Sequence, residues 1–148
     1  MYVDSCIFVK LLTPEPNSID FSRYCVGKCL HTSELSWTEV FSALLSKERA
    51  GRISTESRKR AWRRFGLWVD QGSVVMMTLN RTSLNKANLT LTQCHPEIPL
   101  RTQDAIHLAA ADLSQQFPLI TTDGRIIEAA KKLKMPFFDG KPTGSTDL

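Results

Sequence analysis

Four acidic residues stand where apolar, strand-like runs end or where helical patterns begin: Asp4, Glu39, Asp104 and Asp123. They lie far apart in the chain, so they form one site only in a fold that brings several strand ends together. Carboxylates packed within a few ångströms repel one another, and one of them takes up a proton unless a cation lies among them. Hard oxygen ligands of this kind suit Mg²⁺ or Mn²⁺. The pattern therefore predicts a divalent-metal site.

The same acids also have an ordinary structural explanation. Asp and Glu at helix starts commonly accept a capping hydrogen bond or interact favourably with the helix dipole. Ser5, Thr121 and Thr122 have the same ambiguity, because a hydroxyl at these places either orients a ligand carboxylate or caps a helix. Both readings stay open at this point.

Short apolar segments alternate along the chain with longer segments in which apolar residues recur every three or four positions. The short runs favour strands and the longer amphipathic runs favour helices. The alternation predicts an α/β fold, with a mainly parallel central sheet of about four to five short strands covered by helices on both faces. The predicted strands are 1–3, 29–32, 74–77, 118–121 and 135–138. The predicted helices are 6–12, 18–27, one capped by Ser33 or Ser36 and ended by Gly51, one from Ser54 to Gly72, 81–92, one capped by Thr102 that reaches about Leu113, and 125–133.

This fold would bring the four acids together at one edge of the sheet. In open α/β sheets, ligands bind outside the carboxyl ends of the strands. Asp4 and Asp123 come just after two predicted strands. Glu39 and Asp104 are expected in the first turns of helices that lean over the same edge.

The length of 148 residues suits one three-layer domain and is short for two. Residues 1–139 are therefore predicted to form a single domain, followed by a polar, flexible tail at 140–148. A composition of 42% hydrophobic and 23% charged residues is typical of a soluble globular protein. Since no apolar run approaches the roughly 18 residues of a membrane span, and no export signal opens the chain, we expect a cytoplasmic location and no membrane partner.

The cysteines argue against zinc and against thiol catalysis. Their spacing contains no CxxC pair, and no histidine stands in a recognisable relation to any of them. They are expected to be small, mostly buried apolar residues in a reducing compartment. The cysteines are Cys6, Cys25, Cys29 and Cys94, and Cys6 is expected to crowd the acidic site without acting.

Positive charge is concentrated in the segment 47–64, which has a net charge of +6 in a chain of net charge +4. A basic segment beside an acidic metal site is typical of proteins that bind a polyanion, because lysine and arginine attract phosphates. A solvated helix face explains the same charges equally well. The residues in this segment that are candidates for contact with the phosphates of such a polyanion are Arg49, Arg52, Arg58, Lys59 and Arg63.

Four stretches of the chain, taken together and in order, resemble the PIN-domain ribonucleases, and within them the VapC-type toxins of bacterial type II toxin–antitoxin pairs. The stretch at 101–109 is fairly specific, whereas the others are weak individually. Their order and spacing cover nearly the whole chain. The matching stretches are YVDS at 2–5 with VKL at 9–11, SELSWTEV at 33–40 with AL at 43–44, RTQDAIHLA at 101–109, and ITTD at 120–123.

The resemblance implies a three-layer α/β/α domain that is a Mg²⁺-dependent endoribonuclease, with Mn²⁺ as a second metal. It also implies a homodimer and a cognate antitoxin that blocks the site. The alternative is a catalytically silent PIN domain that acts as an RNA- or protein-binding module. The four acids are then the catalytic residues: Asp4 and Asp104 as principal metal ligands, Glu39 and Asp123 as ligands bound directly or through water, with Ser5 and Thr121 orienting them.

Three details of the sequence bear on this assignment. Cys6 stands where the family often has a small hydroxyl residue or alanine, and Gly124-Arg125 after Asp123 brings no second acid. Neither change removes one of the four carboxylates. His107 follows Asp104 by three residues on the same helix face, and we expect it to be a packed or hydrogen-bonded helix residue in preference to a ligand or base.

Overall fold

The computed structural model of the chain describes residues 1–141, which form five strands and seven helices. The strands are β1 (Tyr2–Val3), β2 (Leu30–Ser33), β3 (Val74–Met77), β4 (Leu119–Ile120) and β5 (Phe137–Phe138). The helices are α1 (Ser5–Leu12), α2 (Ser18–Cys25), α3 (Leu35–Arg49), α4 (Thr55–Asp70), α5 (Arg81–Cys94), α6 (Thr102–Ser114) and α7 (Gly124–Lys132).

The five strands form one sheet in the order β3-β2-β1-β4-β5, and every neighbouring pair is parallel. The chain moves outward from β1 to β3 and then returns to β4 on the other side of β1. The strand order therefore reverses between β1 and β4, and such a switch point opens a crevice at the carboxyl ends of the strands. The backbone N–H of Asp4 donates to the Ile120 carbonyl at 3.0 Å, which fixes the ends of these two strands side by side.

Alternate residues of the central strands point to opposite faces of the sheet. Val3 and Ile120 join the core beneath α1 to α4, whereas Tyr2 and Leu119 join the core beneath α6 and α7. All four are fully buried, as expected for a parallel sheet covered on both faces. The predicted three-layer α/β/α architecture is confirmed.

The aromatic residues Trp62 and Phe65 of α4 pack against the core. Phe65 is fully buried against Phe8, with ring centroids 5.1 Å apart, and Trp62 packs between α3 and α4 against Trp37, at 4.5 Å. This packing ties α4 to both α1 and α3. The start of α3, which carries Glu39, is thereby held against the rest of the domain.

Two local predictions about the acid-bearing helices are wrong. Helix α3 begins at Leu35, so Glu39 lies in its second turn, one turn further in than expected. Thr102 is the first residue of α6 and makes no cap, because the capping position belongs to Arg101. Asp104 does lie in the first turn of α6, as predicted.

The domain boundary at 139 stays a prediction, and the tail predicted at 140–148 falls, after Lys141, outside the described residues. Among the helices of residues 1–141, none has the length and apolar character needed to cross a membrane.

Candidate active site

The end of β4 holds two of the four acids through one threonine. Thr121 is fully buried, and its hydroxyl donates to Asp4 Oδ2 at 2.7 Å. The backbone N–H of Asp123 donates to the same hydroxyl oxygen at 3.0 Å. Thr121 therefore connects the carboxylate at the end of β1 with the residue that begins α7.

Asp4 receives further donors from its own helix. The Ser5 hydroxyl donates to Oδ1 at 3.2 Å, and the Cys6 thiol donates to Oδ2 at 3.1 Å. Asp4 occupies the N-cap position of α1, but its side chain makes no capping hydrogen bond. A carboxylate that is only 4% exposed and does not cap its helix is free to act as a ligand.

The Cys6 thiol is a hydrogen-bond donor in this site. Burial, reinforced by the negative charge of Asp4, raises the pKa of Cys6 to about 12. A thiol with this pKa stays protonated at neutral pH, so it is a poor nucleophile. The four cysteines are all free, so the described structure contains no disulfide.

His107 lies between Asp4 and Glu39. Its Nε2 atom is 2.6 Å from Glu39 Oε2 and 3.6 Å from Asp4 Oδ1, and the ring is 2% exposed. Burial alone would lower the pKa of His107, but the hydrogen bond to Glu39 and the surrounding carboxylate charges raise it above its usual value. His107 is therefore the basic side chain that lies between these two carboxylates, and it holds Glu39 by a hydrogen bond.

Asp104 and Asp123 occupy the starts of α6 and α7. The backbone N–H of Arg101 donates to Asp104 Oδ2 at 2.9 Å, while Asp123 Oδ1 caps α7 by accepting from the N–H groups of Arg125 and Ile126. Burial raises the pKa of Asp104, and the nearby negative charge of Asp123 raises it further against the effects of Arg101 and Arg125. Both acids therefore also have the structural role that helix starts allow.

Three of the four carboxylates are held by one oxygen only. Glu39 Oε2, Asp104 Oδ2 and Asp123 Oδ1 accept protein hydrogen bonds, whereas the other oxygen of each has no protein partner among residues 1–141. Protein donors that hold one oxygen of a carboxylate fix the direction of the other, as they do around metal ligands. The arrangement leaves three oriented oxygens available to a cation or to water.

The site has a large excess of negative charge. Across residues 1–141, no lysine or arginine side-chain nitrogen lies within 4.0 Å of any of the four carboxylates, and His107 is the one basic side chain that does. The oxygen donors fit Mg²⁺ or Mn²⁺ in chemical type. In the same residues, however, no three His, Cys, Asp or Glu side chains already form a group that could hold a metal ion. Binding of a cation therefore requires side-chain adjustment.

The basic segment is only partly available for a ligand. Arg58 is half-buried in an ion pair with Glu48, so it supports the junction of α3 and α4. Arg63 is exposed and lies 3.6 Å from Glu56. The remaining three candidates are exposed and form no ion pair within the described part of the chain: Arg49, Arg52 and Lys59.

Sequence reasoning missed the contribution of Tyr2. Its hydroxyl lies 2.8 Å from His107 Nδ1 and accepts the backbone N–H of Ser33. The available signal was a phenol inside a strand that was expected to be buried on both faces, because a buried tyrosine hydroxyl needs a hydrogen-bond partner.

We expect Asp104 to make the metal-free protein less stable as pH rises. Its pKa in the folded protein is raised above the usual value of an aspartate, so at pH values between the two the folded state binds more protons than the unfolded state. The contribution of Asp104 to the free energy of unfolding is fully present below its pKa in the unfolded chain, and it is lost as pH rises through its pKa in the folded protein. Asp104→Asn removes this loss and keeps an oxygen for the Arg101 N–H. Urea unfolding in EDTA at pH 4, 5.5 and 7 should show the variant gaining on the parent as pH rises; a constant difference would contradict this.

Three comparisons with known proteins agree with this geometry. The family model for the PIN domain matches residues 1–132. The chain is 35% identical over 141 residues to Ribonuclease VapC46 of Mycobacterium tuberculosis, an alignment that covers 91% of this chain and 93% of the relative. A solved structure described as a toxin–antitoxin complex from Klebsiella pneumoniae has the same fold, with a TM-score of 0.63 at 14% identity over 95% of this chain and 97% of that one.

Proposed function

Since this chain belongs to the PIN-domain family and to its VapC branch, we propose that it is a Mg²⁺-dependent endoribonuclease that acts as the toxin of a toxin–antitoxin pair. The observation that carries the proposal is the group of four acids at the switch point of the sheet, where no lysine or arginine side chain of residues 1–141 forms an ion pair with them. Such a site favours a divalent cation, with Mn²⁺ as a second candidate.

In the proposed mechanism each acid has a defined task. Asp4 and Asp104 are the principal ligands, and Glu39 and Asp123 complete the site directly or through water. A bound divalent cation would supply Lewis-acid chemistry, activating water and offsetting charge on the phosphodiester in the transition state. The Thr121 and Ser5 hydroxyls hold Asp4 in place, and the α7 N–H groups hold Asp123.

The proposed substrate is RNA bound through its phosphates. Arg49, Arg52 and Lys59 are exposed and make no ion pair within residues 1–141, and Arg63 has only a long contact to Glu56. Exposed cations of this kind supply sequence-independent attraction to a phosphate backbone. Arg58 belongs to this surface only if its ion pair with Glu48 opens.

The experiment that tests the proposal is cleavage of labelled single-stranded RNA by the purified protein. We expect cleavage at internal phosphodiester bonds of the RNA in Mg²⁺, loss of cleavage in EDTA, and recovery when Mg²⁺ or Mn²⁺ is restored in excess. Persistent cleavage in EDTA would exclude the metal-dependent mechanism and suggest a contaminating nuclease.

The same experiment addresses the alternative, a silent PIN domain that binds RNA or protein. One observation favours this alternative: the described side chains form no ready coordination cluster of three or more His, Cys, Asp or Glu residues. A silent module would bind the RNA with a salt-dependent affinity but leave it intact in every metal tested.

The proposed partners are an antitoxin and a second copy of the chain, in the cytoplasm. Support comes from the VapC relative and from exposed apolar side chains such as Trp37 and Leu67, which are 40% and 54% exposed. Co-expression with the product of an adjacent small gene should yield a stable complex in which RNA cleavage falls at least about tenfold, a modest effect for a stoichiometric inhibitor.

Light scattering of the free protein should give a dimer mass. A monomer at micromolar concentration, or full activity of the complex, would contradict these assignments.

A further inference from the structure

A chain of hydrogen bonds leads from the end of β2 to Glu39, and it is buried as far as His107. The backbone N–H of Ser33 donates to the Tyr2 hydroxyl oxygen at 3.1 Å. The same hydroxyl lies 2.8 Å from His107 Nδ1, and His107 Nε2 lies 2.6 Å from Glu39 Oε2. Tyr2 is fully buried and His107 is 2% exposed, so water does not compete for the bond between them, whereas the Glu39 side chain at the outer end is 18% exposed.

The direction of each bond follows from its donors. A backbone N–H only donates, so the Tyr2 oxygen accepts from Ser33 and its own proton is free for His107 Nδ1. A tyrosine hydroxyl keeps its proton at neutral pH, so the phenol can donate this proton in a hydrogen bond to His107 Nδ1. With Nδ1 as acceptor, the neutral ring carries its proton on Nε2 and donates it to Glu39.

We propose that Tyr2 and His107 are positioning residues that hold Glu39 by Oε2 and thereby direct Oε1 toward the acidic site. The inference rests on the proposed ribonuclease function, in which Glu39 serves the metal. Glu39 has a long side chain, and its Oε1 has no protein partner among residues 1–141. Without His107, several rotamers would be open to this carboxylate, and few of them would bring it near Asp4.

The hydrogen bonds from Tyr2 through His107 to Glu39 join three elements that are distant in sequence. Tyr2 lies on β1, His107 on α6 and Glu39 on α3, so these bonds also set the position of α3 relative to the strand that ends at Asp4. His107 Nε2 is 3.6 Å from Asp4 Oδ1, too long for a good hydrogen bond. Its task is therefore to hold Glu39, and Asp4 is held by Thr121, Ser5 and Cys6.

Three substitutions separate positioning from packing. His107→Leu keeps a similar volume without a donor, whereas His107→Gln keeps an N–H that can reach Glu39. Tyr2→Phe deletes one oxygen atom. Tyr24→Phe is the matched control, because the Tyr24 ring stacks on Phe138 and its hydroxyl makes no hydrogen bond within residues 1–141. Urea unfolding of each variant reports the structural cost separately.

The measurements are kcat and KM for RNA cleavage and, independently of activity, the Kd for Mn²⁺ by calorimetry. We expect His107→Leu to lower kcat and weaken Mn²⁺ binding by about 10- to 100-fold each, the usual effect of losing a residue that orients a metal ligand. The KM for RNA should change little. Tyr2→Phe should show a smaller loss in the same direction, His107→Gln should recover most of the loss, and Tyr24→Phe should match the parent.

Parental kcat and Mn²⁺ affinity in both His107→Leu and Tyr2→Phe would overturn the positioning role, while inactivity of Glu39→Gln in the same assay would leave the ribonuclease function intact. If His107→Leu does not fold, Tyr2→Phe decides by the same criteria. If the parent itself cleaves no RNA, the proposed function fails, and the Mn²⁺ affinities still decide the inference: values in Tyr2→Phe and His107→Leu that are equal to or tighter than the parental value overturn it.

Discussion

Asp4→Asn and Asp104→Asn each lower RNA cleavage at saturating Mg²⁺ by on the order of 10²- to 10³-fold, the scale on which loss of one charge-stabilising group acts in an active site. Each change removes a full negative charge and leaves an amide oxygen, which is a weaker ligand for a hard cation. Both residues are nearly buried, at 4% and 7% exposure, so solvent does not replace the lost charge. The effect is measured as the initial rate of cleavage of labelled RNA at equal concentrations of folded parent and variant.

The control for this prediction is Asp70→Asn. Asp70 is exposed at the end of α4 and makes no ion pair within residues 1–141, so the same chemical change there should leave cleavage unaltered. Misfolding should not account for an activity loss in Asp104→Asn. Burial disfavours the ionised form of Asp104, so the amide variant should be more stable than the parent at neutral pH. Parental rates in both site variants would refute the assignment.

Asp123 differs from these two acids because it also starts a helix. Its Oδ1 accepts two backbone N–H bonds of α7, so a change to alanine would remove a cap as well as a charge. An activity loss in Asp123→Ala would therefore not distinguish ligand from cap. Asn is as good a cap as Asp, and the asparagine variant is the one that isolates the charge.

The fold followed from local patterns because each element of this chain is locally consistent. Strand β3 has the predicted bounds, and the other strands and helices differ from prediction by one or two residues at most ends. The apolar runs are bounded by glycines, prolines and capping residues, which set element ends through the nearby backbone. Positions that depend on a neighbouring element were less predictable, such as the cap of α6, where the Asp104 carboxylate bonds the Arg101 N–H.

The site was predictable in part, for a similar reason. The acids at strand ends meet because parallel strands end at one edge, a rule that needs no detail of packing. The partners of those acids do need it. Tyr2 and His107 are 105 residues apart, and they meet only because α6 packs on the face of the sheet toward which Tyr2 points. Likewise, Arg58 forms an ion pair with Glu48 instead of remaining free. The composition of the segment 47–64 showed its basic charge but not which of its residues are paired.

Mg²⁺ or Mn²⁺ should raise the melting temperature of the protein, and the rise should depend on Asp4. A ligand that binds only the folded state stabilises it by about 2.7 kcal/mol at a concentration 100 times its Kd. For a chain of this size about 1 kcal/mol shifts the midpoint by roughly 2–4 °C, so a rise of roughly 5–10 °C is expected. Differential scanning fluorimetry or calorimetry in EDTA and in metal measures it.

The variants give this prediction a sharper form, because charge repulsion and metal binding act in opposite directions on the same carboxylates. In EDTA, Asp104→Asn should melt above the parent, since it relieves the cost of a buried charge. In saturating metal the order should reverse, since only the parent gains the full binding energy. NaCl at equal ionic strength screens exposed charges and is the control for a non-specific effect. An equal metal-induced rise in the parent and in Asp4→Asn, or a rise reproduced by NaCl, would mean that the four acids do not bind the cation.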